Sequence, residues 1–155
     1  MLTSFKSKAA NIPKFVLPFS GCSPGWTYFP HTSRCYRHFS KAKTWENARD
    51  FCVASSLHYG DLVSVPDQAT NDFLTQLSDV ISWIGATDAA SEGNWQWSDG
   101  TPWGYESWAA GEPNNGGGLG QHYGAINYII AGMWYDNDSK KPFFCQYDLR
   151  EFILM

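Results

Sequence analysis

The apolar and polar positions change period along this chain, and the changes mark its elements. Trp26-Thr27-Tyr28-Phe29 is rich in β-formers, Pro30-His31-Thr32-Ser33 is turn chemistry, and Cys35-Tyr36-Arg37 reads as the returning strand of a hairpin. A helical period follows: Trp45, Ala48, Phe51 and Cys52 fall on one face, with Thr44 as N-cap and Asn47 three residues on. "LVSVPD" is a short strand ended by proline. "DQATNDFLTQLSDV" is a second helix that starts near Asp67 and turns Phe73, Leu74 and Leu77 inward.

The period then shortens. "SWIGATD" is a strand, and "GNWQWSDG" alternates Trp95 and Trp97 before a turn at Asp99-Gly100. Residues 98–120 hold seven glycines and two prolines with little period. A loop of that length in a small domain is either functional or disordered. Trp103 and Trp108 inside it argue for order. "YGAIN", "GMWYD" and "FFCQYDL" close the chain as short strands. This order predicts an α+β fold, with two helices flanking small antiparallel sheets and one long ligand-binding loop. We assign residues 1–21 to an N-terminal tail or linker, 22–149 to the domain and 150–155 to a C-terminal tail.

Composition narrows the function classes. A chain of 155 residues, 43% apolar and 17% charged, is one globular domain. Net charge is −4 and no basic stripe is present, which argues against nucleic acid. Phe15–Phe19 is far too short an apolar run to span a bilayer. Aromatics at 17% suit a carbohydrate-binding surface as well as a core of large rings. Ser, His and Asp occur in no recognisable catalytic arrangement, so the chain does not read as an enzyme. The loop carboxylates also lack the apolar setting that would raise a pKa.

Four cysteines stand at Cys22, Cys35, Cys52 and Cys145, without any CxxC. Two disulfides in an oxidising compartment fit that number; free buried thiols are the alternative. Four cysteines allow three pairings, and spacing alone does not choose, although Cys22 and Cys35 flank the first hairpin. Secretion is the expectation, with any signal peptide outside this sequence.

The stretch "GEPNNG" at 111–116 has two readings. It is good turn chemistry. It also sits among oxygen donors, namely Glu112, Asn114, Asn115, Gln121, Asp136, Asn137 and Asp138, and calcium takes six to eight oxygens from such groups. A cis Glu112–Pro113 bond would throw the two flanking side chains to one side.

"WIGATD", "WQWSDGTP", "W…GEPNN" and "MWYD…FFC", in this order, resemble the C-type lectin domain over residues 22–149. The resemblance implies Cys22–Cys35 and Cys52–Cys145 pairing in a long-form domain. It implies that Glu112 and Asn114 hold calcium and bind two vicinal equatorial hydroxyls of a mannose- or glucose-type sugar, on glycans such as those of microbes, in innate immunity. By the same resemblance Gln121 and Asp136 complete the ligand and metal set. A second metal site would use Asp88, Glu92, Asn115 and His122. Trp103 is the candidate to stack on a sugar face, or else to pack under the loop.

The sequence departs from the family pattern in several places. Gln121 replaces an acid, Tyr123 replaces a cysteine, Tyr135 replaces the middle carboxamide of a Trp-Asn-Asp motif, and Ser139 stands near the lost cysteine's partner. The inner disulfide is therefore missing as a pair. Calcium affinity follows ligand charge, so binding on the order of 10⁻⁴–10⁻³ M, or none, is expected. His122 beside Glu112 and Asp136 would suit zinc; an exposed loop histidine is the simpler reading. Asn137-Asp138-Ser139 spells a glycosylation sequon whose glycan would crowd the site. The alternative function is a calcium-independent lectin-like domain that binds protein, lipid or another non-sugar ligand.

Overall fold

The computed structural model describes residues 21–56, 59–117 and 120–149. Of the tails assigned to 1–21 and 150–155, residues 1–20 and 150–155 lie outside these residues. The first hairpin pairs β1 (Thr27–Phe29) with β2 (Arg34–Lys43), and β2 runs well past Arg37 through a bulge between Phe39 and Lys43. Helix α1 (Trp45–Ser55) starts where Thr44 Oγ1 accepts the Asn47 N–H at 3.3 Å, and it buries Trp45, Ala48 and Cys52. After the two-residue strand β3 (Asp61–Leu62) comes α2 (Gln68–Leu77). Asp67 caps it by accepting both the N–H and the hydroxyl of Thr70 at 2.8 Å.

The remaining strands are β4 (Ser82–Thr87), β5 (Gln96–Trp97), β6 (Tyr123–Ile126), β7 (Trp134–Asn137) and β8 (Lys141–Asp148). The α+β fold is the expected one, and its small antiparallel pairings join one mixed sheet in the order β1-β2-β8-β4-β6-β7, with β3 on β8 and β5 on β4. The reason is the last strand. β8 enters between β2 and β4, antiparallel to the first and parallel to the second at Trp83↔Phe143, and so fuses the two halves. "FFCQY" is accordingly buried almost throughout, as a strand covered on both faces must be.

Both disulfides implied by the resemblance are present, Cys22–Cys35 and Cys52–Cys145. The second ties α1 to β8 across 93 residues, and closing so long a loop restricts the unfolded chain strongly. Asn71 of α2 is 2% exposed, a polar group that must be paired. It donates to the Gly132 carbonyl at 3.0 Å and accepts from Trp134 Nε1 at 2.8 Å. The helix thereby fixes the start of β7, and β7 carries Asp136 to the loop.

Candidate functional site

The long loop is held down before it reaches its polar tip. Asp99 opens it by accepting from Ser64 Oγ at 2.7 Å and Gln146 Nε2 at 2.6 Å. Trp103 then packs 4.7 Å from Trp97, and Trp108 packs 4.8 Å from Trp95. Trp134 N–H donates to the Ser107 carbonyl, and Ala109 N–H donates to the Trp134 carbonyl, both at 2.8 Å. These bonds lay the loop beside β7, within reach of Asp136.

Asp136 is 2% exposed, and its two oxygens accept the Asn114 N–H at 3.0 Å and the Asn115 N–H at 2.7 Å. One carboxylate therefore clamps the backbone that follows Pro113. The Glu112–Pro113 bond is cis, and Asn114 Nδ2 donates to Glu112 Oε1 at 2.8 Å. Gly116 N–H sits between Asn114 Oδ1 at 2.8 Å and Gln121 Oε1 at 2.9 Å, which draws these two oxygens together. Glu112, Asn114, Gln121 and Asp136 line one cleft of about 440 Å³.

Glu112 Oε2 is buried in this cleft, and no N–H or hydroxyl donor among the described residues reaches it. Burial, and then the neighbouring Asp136, push the Glu112 carboxyl up to about 7. The sequence reading allowed no such shift. It overlooked that the fold would press two carboxylates together in a partly desolvated cleft. A partnerless buried oxygen beside a second carboxylate and two convergent carboxamide oxygens is a donor set that fits a hard dication.

The second predicted group also assembles. His122 Nδ1 lies 2.9 Å from Asp88 Oδ1 and 3.5 Å from Glu92 Oε2. Asp88 Oδ2 accepts the Gly93 N–H at 2.8 Å. Asn115 uses its carbonyl on the Gln121 N–H at 2.6 Å. His122 is thus not beside Glu112 and Asp136, where a zinc site was considered. Among the described residues, the one group of three or more His, Cys, Asp or Glu gathered closely enough for a metal is Asp88, Glu92 and His122.

Trp103 does not line the cleft; its ring belongs to the tryptophan layer under the loop, and Nε1 donates to Glu106 at 2.7 Å. The aromatic wall of the cleft is instead Tyr128 with Tyr135, stacked at 4.1 Å. Nothing in the one-residue alternation of "YGAINY" singles out Tyr128. Asn137 also lines the cleft, and its carbonyl accepts from Ser139 N–H, Ser139 Oγ and Lys141 Nζ.

Other contacts stand where the inner disulfide would be. Tyr123 stacks on Trp45 at 4.6 Å, and its hydroxyl donates to Glu46 at 2.5 Å. Lys141 is 5% exposed, with Nζ 4.7 Å from the Trp83 ring and 5.5 Å from the Tyr135 ring. Burial pulls its ammonium down to about 8. Lys141 escaped the sequence reading because it looks like a polar residue before a strand.

Comparison with known proteins agrees with this geometry. The Lectin C-type domain profile matches residues 41–147. A protein named lectin from Pleurodeles waltl is 33% identical over 135 residues, covering 81% of this chain and 76% of its own length. Mammalian relatives at 37–40% identity are longer, and the chain spans 33–37% of their length. The C-type lectin CEL-I from Cucumaria echinata superposes with a TM-score of 0.73 at 31% identity, over 81% of this chain and 96% of that one. A calcium-independent type II antifreeze protein superposes with a TM-score of 0.74 at 26% identity, over 82% and 94%. Among the described residues no helix is long and apolar enough to cross a membrane. The profile, which spans most of the chain, and the relatives together show the family: the chain belongs to the C-type lectin domain family.

Proposed function

We propose that residues 22–149 form a secreted carbohydrate-recognition domain that binds a mannose- or glucose-type sugar at the Glu112–Asp136 cleft. The observation that carries this reading is the buried, partnerless Glu112 Oε2, among oxygens of Asn114, Gln121 and Asp136. Calcium held by these four residues would supply coordination to two neighbouring sugar hydroxyls. The chain itself supplies direction. Glu112 Oε1 and Asn114 Nδ2 already face one another at 2.8 Å. A sugar hydroxyl that donates to the carboxylate, with a neighbouring one that accepts from the carboxamide, would replace that bond. Asp136 holds the backbone of 114 and 115 in place for both. The four residues bring two carboxylates, and Gln121 adds a carbonyl rather than a third charge, which supports weak affinity for the ion. Microbial glycans and a role in innate immunity are the wider expectation.

A calcium-independent reading also has support. The cleft's hydrogen bonds, Gly116 to Asn114 and Gln121 and Asn114 to Glu112, are complete except at Glu112 Oε2. A calcium-independent relative also shares the fold. Retention on immobilised mannose separates the two. The proposed function predicts retention in millimolar calcium and elution by chelator; retention that chelator leaves unchanged would overturn the calcium-bridged site, and no retention in either buffer would favour a non-sugar ligand.

A further inference from the structure

The loop between β6 and β7 carries the largest exposed apolar residues next to the cleft. Ile129 is 82% exposed and Ile130 62%. Single exposed aliphatics need no explanation, but two adjacent ones on an apolar cavity do. They line a second cavity of about 250 Å³ with Ala109, Ala110, Tyr128 and Met133. Tyr128 lines both cavities, so the apolar shelf and the polar cleft meet at one ring.

The backbone makes accident a poor account of this display. Ile129 has φ +59°, a left-handed conformation that a β-branched residue rarely adopts and that Asn or Gly occupies without penalty. The loop is also well bonded. Asn127 donates to the Ser78 carbonyl at 2.9 Å and accepts the Gly132 N–H at 2.9 Å. Tyr128 N–H donates to the Met133 carbonyl at 3.0 Å, and Met133 N–H donates to the Ile130 carbonyl at 3.1 Å. The two isoleucines are therefore presented on a fixed frame, joined to the cleft through Tyr128.

Building on the proposed sugar site, we infer that the preferred ligand is a glycolipid. Its hexose head would occupy the Glu112–Asp136 cleft, and the first carbons of its alkyl or acyl chain would lie on Ile129, Ile130 and Met133. Continuity through Tyr128 is the argument for one amphiphilic ligand rather than two separate ones. A hydroxylated head fits a wall of carboxylates and carboxamides, and a chain leaving it meets a mostly apolar shelf.

The test compares methyl and n-octyl glucoside by calorimetry in calcium, with the octyl compound below its critical micelle concentration. Contact of even two methylenes with the shelf predicts octyl binding at least about tenfold tighter than methyl. The double variant I129N/I130S should fold, because Asn suits φ +59° and both positions are exposed. It should bind methyl glucoside as the wild type does and lose the octyl advantage. Methyl binding with no octyl advantage in the wild type overturns the glycolipid inference and leaves the sugar site standing. Binding of neither glycoside overturns both. An octyl affinity unaffected by E112Q, or a dimer that the double variant converts to monomer, also overturns the inference; the latter would make the shelf a contact between copies.

Discussion

Two acidic clusters flank one stretch of loop and differ in the hydrogen-bond partners of their carboxylates. In the Asp88 cluster, the His122 ring nitrogen faces both carboxylates, Asp88 at 2.9 Å and Glu92 at 3.5 Å, and backbone N–H groups help. In the Glu112 cluster no ion pair to either carboxylate occurs among the described residues. Asp136 is satisfied by two backbone N–H groups, while Glu112 keeps one buried oxygen without a partner. On the function proposed above, the same kind of residue is bonded within the protein in one cluster and open to a ligand in the other. The difference lies in the partner of each carboxylate rather than in the number of acids.

The most severe way to break this contrast is Asp136→Ala. It removes one carboxylate and leaves the N–H groups of Asn114 and Asn115 without acceptors, so the cleft should lose its shape as well as its charge. We expect at least about a hundredfold loss of calcium affinity by calorimetry and a cost of roughly 2–3 kcal/mol in denaturant unfolding. Asp136→Asn should lose calcium affinity nearly as far at a smaller cost in stability, because its carbonyl still accepts.

Next comes pH. Without calcium, the folded Glu112 carboxyl titrates at about 7, above its ordinary 4.5. Between those values the native state holds a proton that the unfolded chain has lost. Its contribution to stability is therefore full below about 4.5 and fades as pH rises through 7. In chelator the melting temperature should fall from pH 5 to pH 8 by an amount worth on the order of 1 kcal/mol, discounted for partial exposure. Calcium should cancel that fall, and Glu112→Gln should abolish it. A fall that persists in Glu112→Gln would assign it to another group.

The third change reverses the contrast. His122→Asp removes the built-in partner of Asp88 and Glu92 and adds a third carboxylate. The altered cluster should take up calcium, raising the calorimetric stoichiometry from one ion to two. The smallest expected effect is His122→Gln, which should leave sugar affinity within about twofold and lower stability by at most about 1 kcal/mol. A larger loss of sugar binding would mean that the two clusters are coupled through Asn115 and Gln121.

Much of the fold was legible because its signals are local or spaced. Thr44 and Asp67 cap the helices as their side chains suggest, and Trp95 and Trp97 alternate as a half-buried strand does. What was not legible was long-range. No local pattern says that β8 enters between β2 and β4, since pairing with non-adjacent strands depends on the whole sheet. The site divides in the same way. Glu112, Asn114, Gln121 and Asp136 meet in one cleft, as do Asp88, Glu92 and His122, because motif spacing encodes the loop. Tyr128, Lys141 and the raised Glu112 carboxyl depend on which residues a distant element brings near, and neither spacing nor composition records that. Trp103 was open between two roles for the opposite reason. A tryptophan in a polar loop invites a stacking role, but burial against Trp97 competes for the same ring.

The central claim is that the partnerless Glu112 oxygen marks a site for a dication which in turn binds sugar. Calcium titration of the wild type and Glu112→Gln, each with and without methyl mannoside, tests it most directly. We expect one weak site in the wild type, on the order of 10⁻⁴–10⁻³ M, tightened by the sugar as linkage requires, and roughly tenfold or more weaker in Glu112→Gln. Calcium affinity that neither the sugar nor the substitution changes would contradict it.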